Sequence, residues 1–322
     1  MRYATFSDSD RPLEARVGVV LDDGRVLDLA AVAPDEAAFA SMADLIAAGD
    51  AVRSRIEREV ARVDQNGTEA AAVLSADAVR LRAPIVPRKN VFCVGMNYRS
   101  HVEDNARALG FTPEIGPVPL FFTKPTTAVV GPDDPVLLDE RLTAKLDYEV
   151  ELAIVIARGG TWIDEAEALD HVFGYTIVND VSARDLQWRT SQMFYGKGLD
   201  SYCPLGPWIV DAGSLPGGPS GPALEVTCRV NGELRQRDST ANLLFPVARV
   251  IAELSKGITL EAGDVIATGT PGGCGYQLDP PRFLAAGDRV ECEIEGIGTL
   301  ANPVVAWSEV HGREAAVAGT AR

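Results

Sequence analysis

From Asn90 onward, short apolar runs alternate with glycine and proline turns: VFCVG, LFFTKP, VELAIVI, GYTIVND, PWIV, LEVTCRVNGELR, DVIATG and RVECEIE. Runs this short, rich in β-branched and aromatic residues, suit strands rather than helices. Helical patterns are few, near 100–109, 164–170, 182–193 and 246–256. That spacing does not fit an alternating parallel α/β chain and predicts an α+β, mostly β fold of packed sheets. Asn231-Gly232 predicts a tight hairpin. LEAGDVI and LAAGDRV predict two similar strand-entry turns.

Residues 1–80 read as a small N-terminal α/β unit. Val17–Leu21 and Arg25–Leu29 alternate around Asp22-Asp23-Gly24, a hairpin signal. Helical stretches follow near 36–48 and 50–63, with Gln65-Asn66-Gly67 as the stop. Leu81–Asn90, with Pro84 and Pro87, reads as a linker. The expected organisation is therefore 1–80, a larger β domain over 90–305, and a loose tail over 306–322.

Charge narrows the partners. A formal net charge of −16 disfavours nucleic acid and anionic membranes, which need clustered Lys and Arg. No apolar run approaches the ~20 residues of a membrane span. The polar start, MRYATFSDSDRP, is not a signal peptide. The five cysteines include no C-x-x-C pair, which argues against a disulfide framework or a thiolate zinc site. The expected location is a reducing cytoplasm. Only three histidines are present, which argues against an imidazole-rich metal site.

The segment DYEVELAIVIARGG carries the chemistry. In a strand, residues two apart share a face. Glu149 and Glu151 then project together, with Ala153 and Val155 continuing that face as apolar. Tyr148, Val150, Leu152 and Ile154 line the other. Such acids are either solvated at a strand end or buried beside a counter-charge. The next strand-like run ends at Asp180, a third carboxylate that would complete an oxygen-ligand set for Mg²⁺, Mn²⁺ or Ca²⁺. Beyond it, Ser182 and Asp185 fit a capping signal for a helix. Arg184 and Gln187 share a helix face, and Lys197 lies in a Gly-Lys-Gly loop. Arg184 and Lys197 are either surface cations or ligands for carboxylate and enolate oxygens.

A second polar patch is NYRSHVED. Ser100 and Glu103 fit a capping box, which gives Glu103 a structural role. His101 falls in the first turn, and Asp104 lies three residues on, where it could orient the imidazole as a general base. The alternative is an exposed helix start. ATGTPGGCGYQ lacks a G-K-[ST] ending and is no phosphate loop. It reads as a flexible turn or as a pocket wall offering Gly269 and Thr270.

GMNYRSH, LFFTKPTTAVVG, DYEVELAIVI, GYTIVNDVSARDLQ, GKGLDSYCPLGPW and DVIATGTPGG, in this order, resemble the fumarylacetoacetate hydrolase family over about Asn90 to Val305. The resemblance implies a mixed β-roll core, a homodimer and a Mg²⁺ or Mn²⁺ ion. By motif position it implies Glu149, Glu151 and Asp180 as metal ligands. Arg184, Gln187 and Lys197 look like substrate-binding residues, Thr270 resembles the family's threonine at the pocket wall, and His101 looks like the catalytic histidine on a lid segment. Family members with a lid dyad read His-x-x-Glu; here that position is Asp104, and Glu103, one residue early, would partner His101 only if the helix start is shifted.

The leading expectation is metal-dependent hydrolysis of a C–C bond in a β-diketo or acylpyruvate-type acid. His101 would be the base for water, and Lys197 would help hold the enolate. Decarboxylation of an oxo-diacid and isomerisation of a 2-hydroxy-dienoate use the same site and stay open. So does a non-catalytic metal-dependent binding protein. The expected partner is a small anionic oxo acid.

Overall fold

The structure, a computed structural model, describes residues 1–66, 72–110, 114–218 and 220–312. The N-terminal segment forms β1 (Arg2–Asp8), β2 (Arg16–Val20), β3 (Val26–Asp28), α1 (Met42–Ala47), α2 (Asp50–Asn66) and β4 (Val73–Leu74). Then follow β5 (Val91–Gly95), α3 (Arg99–Leu109), β6 (Leu120–Lys124), β7 (Val136–Leu138), β8 (Val150–Ile156) and β9 (Val172–Asn179). The remainder is α4 (Arg184–Gln187), α5 (Phe194–Lys197), β10 (Cys203–Asp211), β11 (Glu225–Val230), β12 (Glu233–Ser239), α6 (Val247–Leu254), β13 (Val265–Ala267), β14 (Arg289–Ile294), β15 (Gly298–Ala306) and α7 (Trp307–His311).

The fold is α+β and mostly β, as the strand-like runs predict. One large sheet runs β4-β3-β2-β1-β10-β9-β8-β13-β5-β6, and a second runs β12-β11-β14-β15-β7. Neither closes into a barrel. The large sheet is mixed, since β13 and β5 pair in parallel while β8 and β9 pair antiparallel. It also joins the N-terminal segment to the rest, because Arg2 and Tyr3 of β1 pair with Val210 and Ile209 of β10.

Strand β8 shows how the sheet separates two cores. Val150, Leu152, Ile154 and Ile156 enter one apolar cluster with β11, β14 and α6. Ala153 and Val155 enter another, with Leu27, Phe39, Ile46 and Ile56 of the N-terminal segment. Both faces are buried, so β8 is apolar on both sides past Glu151. The two acids therefore stand at the start of a face whose far end is covered by the N-terminal helices.

Turn chemistry follows the sequence. Asn231 and Gly232 both have positive φ, 53° and 80°, and turn β11 into β12. In the paired strand-entry turns, Asp264 accepts the Glu261 amide and Asp288 accepts the Ala285 amide, each at 2.8 Å. The glycine before each Asp has φ near +90°, 87° at Gly263 and 94° at Gly287, which explains the repeated Gly-Asp pair.

Several expected helices are shorter. Residues 164–170 hold one 3-10 turn, Ala168–His171. The stretch 182–193 forms only α4, because the cap does not form: the Ser182 hydroxyl donates to the Asp180 carbonyl at 2.9 Å. Asp185 instead accepts the Thr143 hydroxyl at 2.6 Å. Past residue 306, α7 packs Trp307 under Arg141 at 4.3 Å. Residues 313–322 and the expected stop at Gly67 lie outside the described residues. Among the described residues, no helix is long and apolar enough to cross a membrane.

Candidate active site

The start of β8, the end of β9 and the loop after β13 meet at one end of these three neighbouring interior strands. Val150 pairs with Asn179, and Ala153 pairs with Ala267. That register carries Glu149 and Glu151, Asp180, and Gly269 with Thr270 to the same place. Glu149, Glu151 and Asp180 offer oxygens within 4.8 Å of one another, and all three are buried. The sequence spacing alone left that meeting open; the antiparallel β8–β9 pairing makes it.

Three cations face the cluster. Lys197 Nζ donates to Glu149 Oε2 and Asp180 Oδ2, both at 2.7 Å. Arg184 Nη2 lies 2.6 Å from Glu149 Oε1. Lys124, at the end of β6, donates to Asp180 and to the Val181 carbonyl. Lys124 was not singled out from sequence. The signal was present: a lysine closing the apolar run LFFTK, fully buried in the fold, must meet a carboxylate. Lys197 ends the one-turn helix α5 rather than lying in an open loop.

These charges set the protonation states. Burial alone would raise Glu149, but Lys197, Arg184 and His101 outweigh it and hold the carboxyl well below the usual range. Glu151 goes the other way: burial, then repulsion from Asp180 and Glu149, pushes it well above. Its hydrogen bond is to the Gly269 amide at 2.8 Å. Among the described residues, no Lys or Arg forms an ion pair with it. Three crowded carboxylates, one of them destabilised as an anion by the other two, fit a hard divalent cation with oxygen ligands. Glu149, Glu151 and Asp180 would hold it.

Arg184 is fixed from behind. Asp147 accepts Arg184 Nε at 2.9 Å and also takes the amides of Gly275 and Tyr276, at 2.7 and 3.1 Å. The Tyr276 ring lies 4.3 Å from the guanidinium carbon. Gln187 accepts Arg184 Nη1 at 3.0 Å, as the shared helix face predicts. Thr270 lines the pocket, its hydroxyl donating to the Val150 carbonyl at 2.9 Å. The Gly269 amide is not offered to a ligand; it is spent on Glu151.

The histidine patch departs most from expectation. Helix α3 starts without a side-chain cap, because Ser100 instead donates to Asp238 Oδ2 at 2.5 Å. Glu103 is exposed and does not line the pocket. Asp104 accepts the Gly273 amide at 2.9 Å and pairs with Arg107. No carboxylate hydrogen-bonds His101 among the described residues, so neither expected dyad forms. His101 is buried in the pocket wall, with Gln277 Nε2 3.3 Å and Cys274 Sγ 3.8 Å from its Nδ1. Burial lowers its pKa to about 4; Glu149 opposes the shift, and Arg184 and Lys197 add to it. Asn97 pins the start of the helix by donating to the Thr268 and Phe245 carbonyls, at 2.7 and 3.0 Å.

The pocket between these groups has a volume of about 350 Å³, and Leu120, Phe122, Trp188 and Met193 add apolar surface to its lining. A larger surface groove of about 730 Å³, by Met1, Leu21 and Trp208, lies apart from these acids. Among the described residues, the three carboxylates form the one cluster of potential metal ligands.

The family model for fumarylacetoacetate (FAA) hydrolase, C-terminal, matches residues 90–305. The chain is 43% identical over 310 residues to the oxaloacetate tautomerase YisK of Bacillus subtilis, covering 94% of this chain and 100% of the relative. It superposes with a TM-score of 0.77 on a fumarylacetoacetate hydrolase from Exiguobacterium antarcticum, 40% identical, over 95% of this chain and 99% of the other. It also superposes at 0.72 on a maleylpyruvate hydrolase from Sphingobium sp. SYK-6, in complex with manganese(II) and pyruvate. That enzyme is 30% identical, with 95% and 99% of the two chains covered. Since the matched span holds β5 to β15, the acid cluster and its cations, the chain belongs to the fumarylacetoacetate hydrolase family.

Proposed function

We propose that the protein catalyses keto–enol tautomerisation of a small 2-oxo diacid of the oxaloacetate type, with a divalent metal at Glu149, Glu151 and Asp180. The observation that carries this reading over C–C hydrolysis is that, among the described residues, no carboxylate hydrogen-bonds His101. Hydrolysis needs a base strong enough to activate water. Burial lowers the imidazole pKa to about 4 against the pull of Glu149, and among the described residues no carboxylate hydrogen-bonds the ring, so it is a weak one. Tautomerisation moves a proton that the substrate already carries. The relative named an oxaloacetate tautomerase supports the same reading.

When bound, a divalent ion would polarise the 2-oxo acid and favour negative charge on its oxygen. The chain's own residues do the rest. Lys197 keeps its proton: burial opposes it, but Asp180 and Glu149 raise its pKa. It offers a fixed ammonium to the enolate oxygen. Arg184, locked by Asp147 and Gln187, orients the acid. The enol O–H proton leaves to water, and the carbon next to the carbonyl takes one back from water. Substrate and product then differ only in the position of one hydrogen. The pocket is at the small end of ligand cavities, which suits a four-carbon acid.

The test is to present enol oxaloacetate to the Mg²⁺-loaded protein, follow loss of enol absorbance, and identify the product by NMR. Keto oxaloacetate of unchanged mass supports the reading. Release of CO₂ means decarboxylation. Two carbon fragments from an acylpyruvate, with no effect on oxaloacetate, mean hydrolysis. No turnover on either substrate means a binding protein. Glu149→Ala and Asp180→Ala should abolish the rate, and full activity in metal-stripped protein would overturn the metal assignment.

A further inference from the structure

His101 is buried, and its neighbours dictate which ring nitrogen carries the proton. The key is the amide of Gln277, the last residue of the 3-10 turn Gly275–Gln277. Gln277 Oε1 accepts two backbone amides, Gly273 and Cys274, each at 3.0 Å. Backbone N–H groups only donate, so this end of the side chain must be the oxygen. The NH₂ end therefore faces α3. It donates to Asn105 Oδ1 at 2.8 Å and lies 3.3 Å from His101 Nδ1, from the His101 carbonyl and from the Tyr276 hydroxyl. Asn105 is itself oriented, since Tyr276 donates to the same oxygen.

The second neighbour agrees. Burial keeps Cys274 a thiol, its pKa raised well above the usual value. Gln236 Nε2 approaches Cys274 Sγ at 3.6 Å from one side. On the other side the sulfur is 3.8 Å from His101 Nδ1 and 4.0 Å from the Pro271 carbonyl. That carbonyl already accepts Gln236 Nε2 at 2.9 Å, so the nitrogen is the nearer and freer target for the S–H. Nδ1 then faces two donors, Gln277 N–H and Cys274 S–H, and is itself an acceptor.

We propose that Gln277 is a positioning residue that holds neutral His101 as the Nε2–H tautomer. His101 then meets the substrate as a hydrogen-bond donor to one of its oxygens, not as a base. Nothing in this arrangement needs a proton to leave the ring. Neutral imidazole acting as an electrophile is an established use of a histidine whose protonation is suppressed. The competing acceptor is the Pro271 carbonyl, which is within hydrogen-bond reach of the ring. Were it to take Nδ1–H, Nε2 would be a bare lone pair and His101 a base. The inference rests on the proposed tautomerase only for the identity of the substrate.

The chain has three histidines, His101, His171 and His311, so ring nitrogens can be assigned one by one. The experiment is a long-range ¹H–¹⁵N correlation spectrum of the full chain at neutral pH, loaded with Mg²⁺ and without substrate, with H101Q identifying the His101 signals. A pyrrole-type Nε2 and a pyridine-type Nδ1 are expected in the wild type. The reverse pattern overturns the proposal. Q277E keeps the oxygen for Gly273 and Cys274 but replaces the donor with a carboxylate oxygen. It is expected to exchange the two signal types, and an unchanged pattern overturns the role of Gln277. Should Q277E not fold, Q277M is read in its place: loss of the pure Nε2–H pattern supports the role, and its persistence overturns it. No turnover is involved, so a wrong substrate assignment leaves the tautomer result standing.

Discussion

Lys124 donates its ammonium to an Asp180 carboxylate oxygen, and both side chains are fully buried. The pair joins β6 to the exit of β9 beneath the acid cluster. Removing one member of such a pair leaves an uncompensated charge in a low-dielectric interior, which costs about 3–5 kcal/mol. Lys124→Met should therefore lower stability by about that amount, reduced by whatever Lys197 recovers at Asp180. Urea unfolding of metal-free protein measures it; a midpoint equal to wild type refutes the prediction.

Glu151 is the acid whose charge the cluster least tolerates. In Glu151→Gln the amide oxygen still accepts the Gly269 amide, and the repulsion from Asp180 and Glu149 is gone. Metal-free protein should be as stable as wild type or more so, while Mg²⁺ affinity falls. Ligand saturating at 100 times its Kd stabilises a fold by about 2.7 kcal/mol. Wild type should thus gain melting temperature on adding Mg²⁺, and the variant little. Equal gains in both would remove Glu151 from the ligand set.

Asp104 serves the Gly273 turn, not the imidazole. Asp104→Asn keeps an acceptor for that amide, so turnover should stay within about tenfold of wild type. Loss of a working acid–base partner would cost about 10²–10⁴-fold. A drop of that size in kcat would restore the dyad. Glu103→Ala, at an exposed position, should change kcat less still.

Stability should depend on pH through His101. Its folded pKa, about 4, lies below the unfolded value of about 6.5. The unfolded chain therefore binds the extra proton first as pH falls. Stability is full above about pH 6.5 and is lost progressively down to about pH 4, by about 3 kcal/mol in all. In His101→Gln this component is absent, so denaturant midpoints between pH 4 and 6.5 should vary less than in wild type. Parallel curves would show that His101 is not held neutral by burial.

The strand content, the Asn231-Gly232 hairpin and the paired Gly-Asp turns are legible in the amino-acid order alone. So is the common face of Glu149 and Glu151. Each of these depends on neighbours within a few residues, through the two-residue strand period or a required φ. The Arg184–Gln187 contact was legible for the same reason. Partners far apart in the chain depend instead on how the strands and loops pack. The β8–β9 register brought Asp180 to the two glutamates. Burial of β6 sent Lys124 to Asp180. The fold of the 271–277 loop against α3 turned Asp104 to Gly273 and gave His101 to Gln277 and Cys274. The capping signals at Ser100 and Ser182 failed on the same ground. A hydroxyl or carboxylate takes the best donor or acceptor the packed fold brings to it, and sequence spacing ranks only the local candidates.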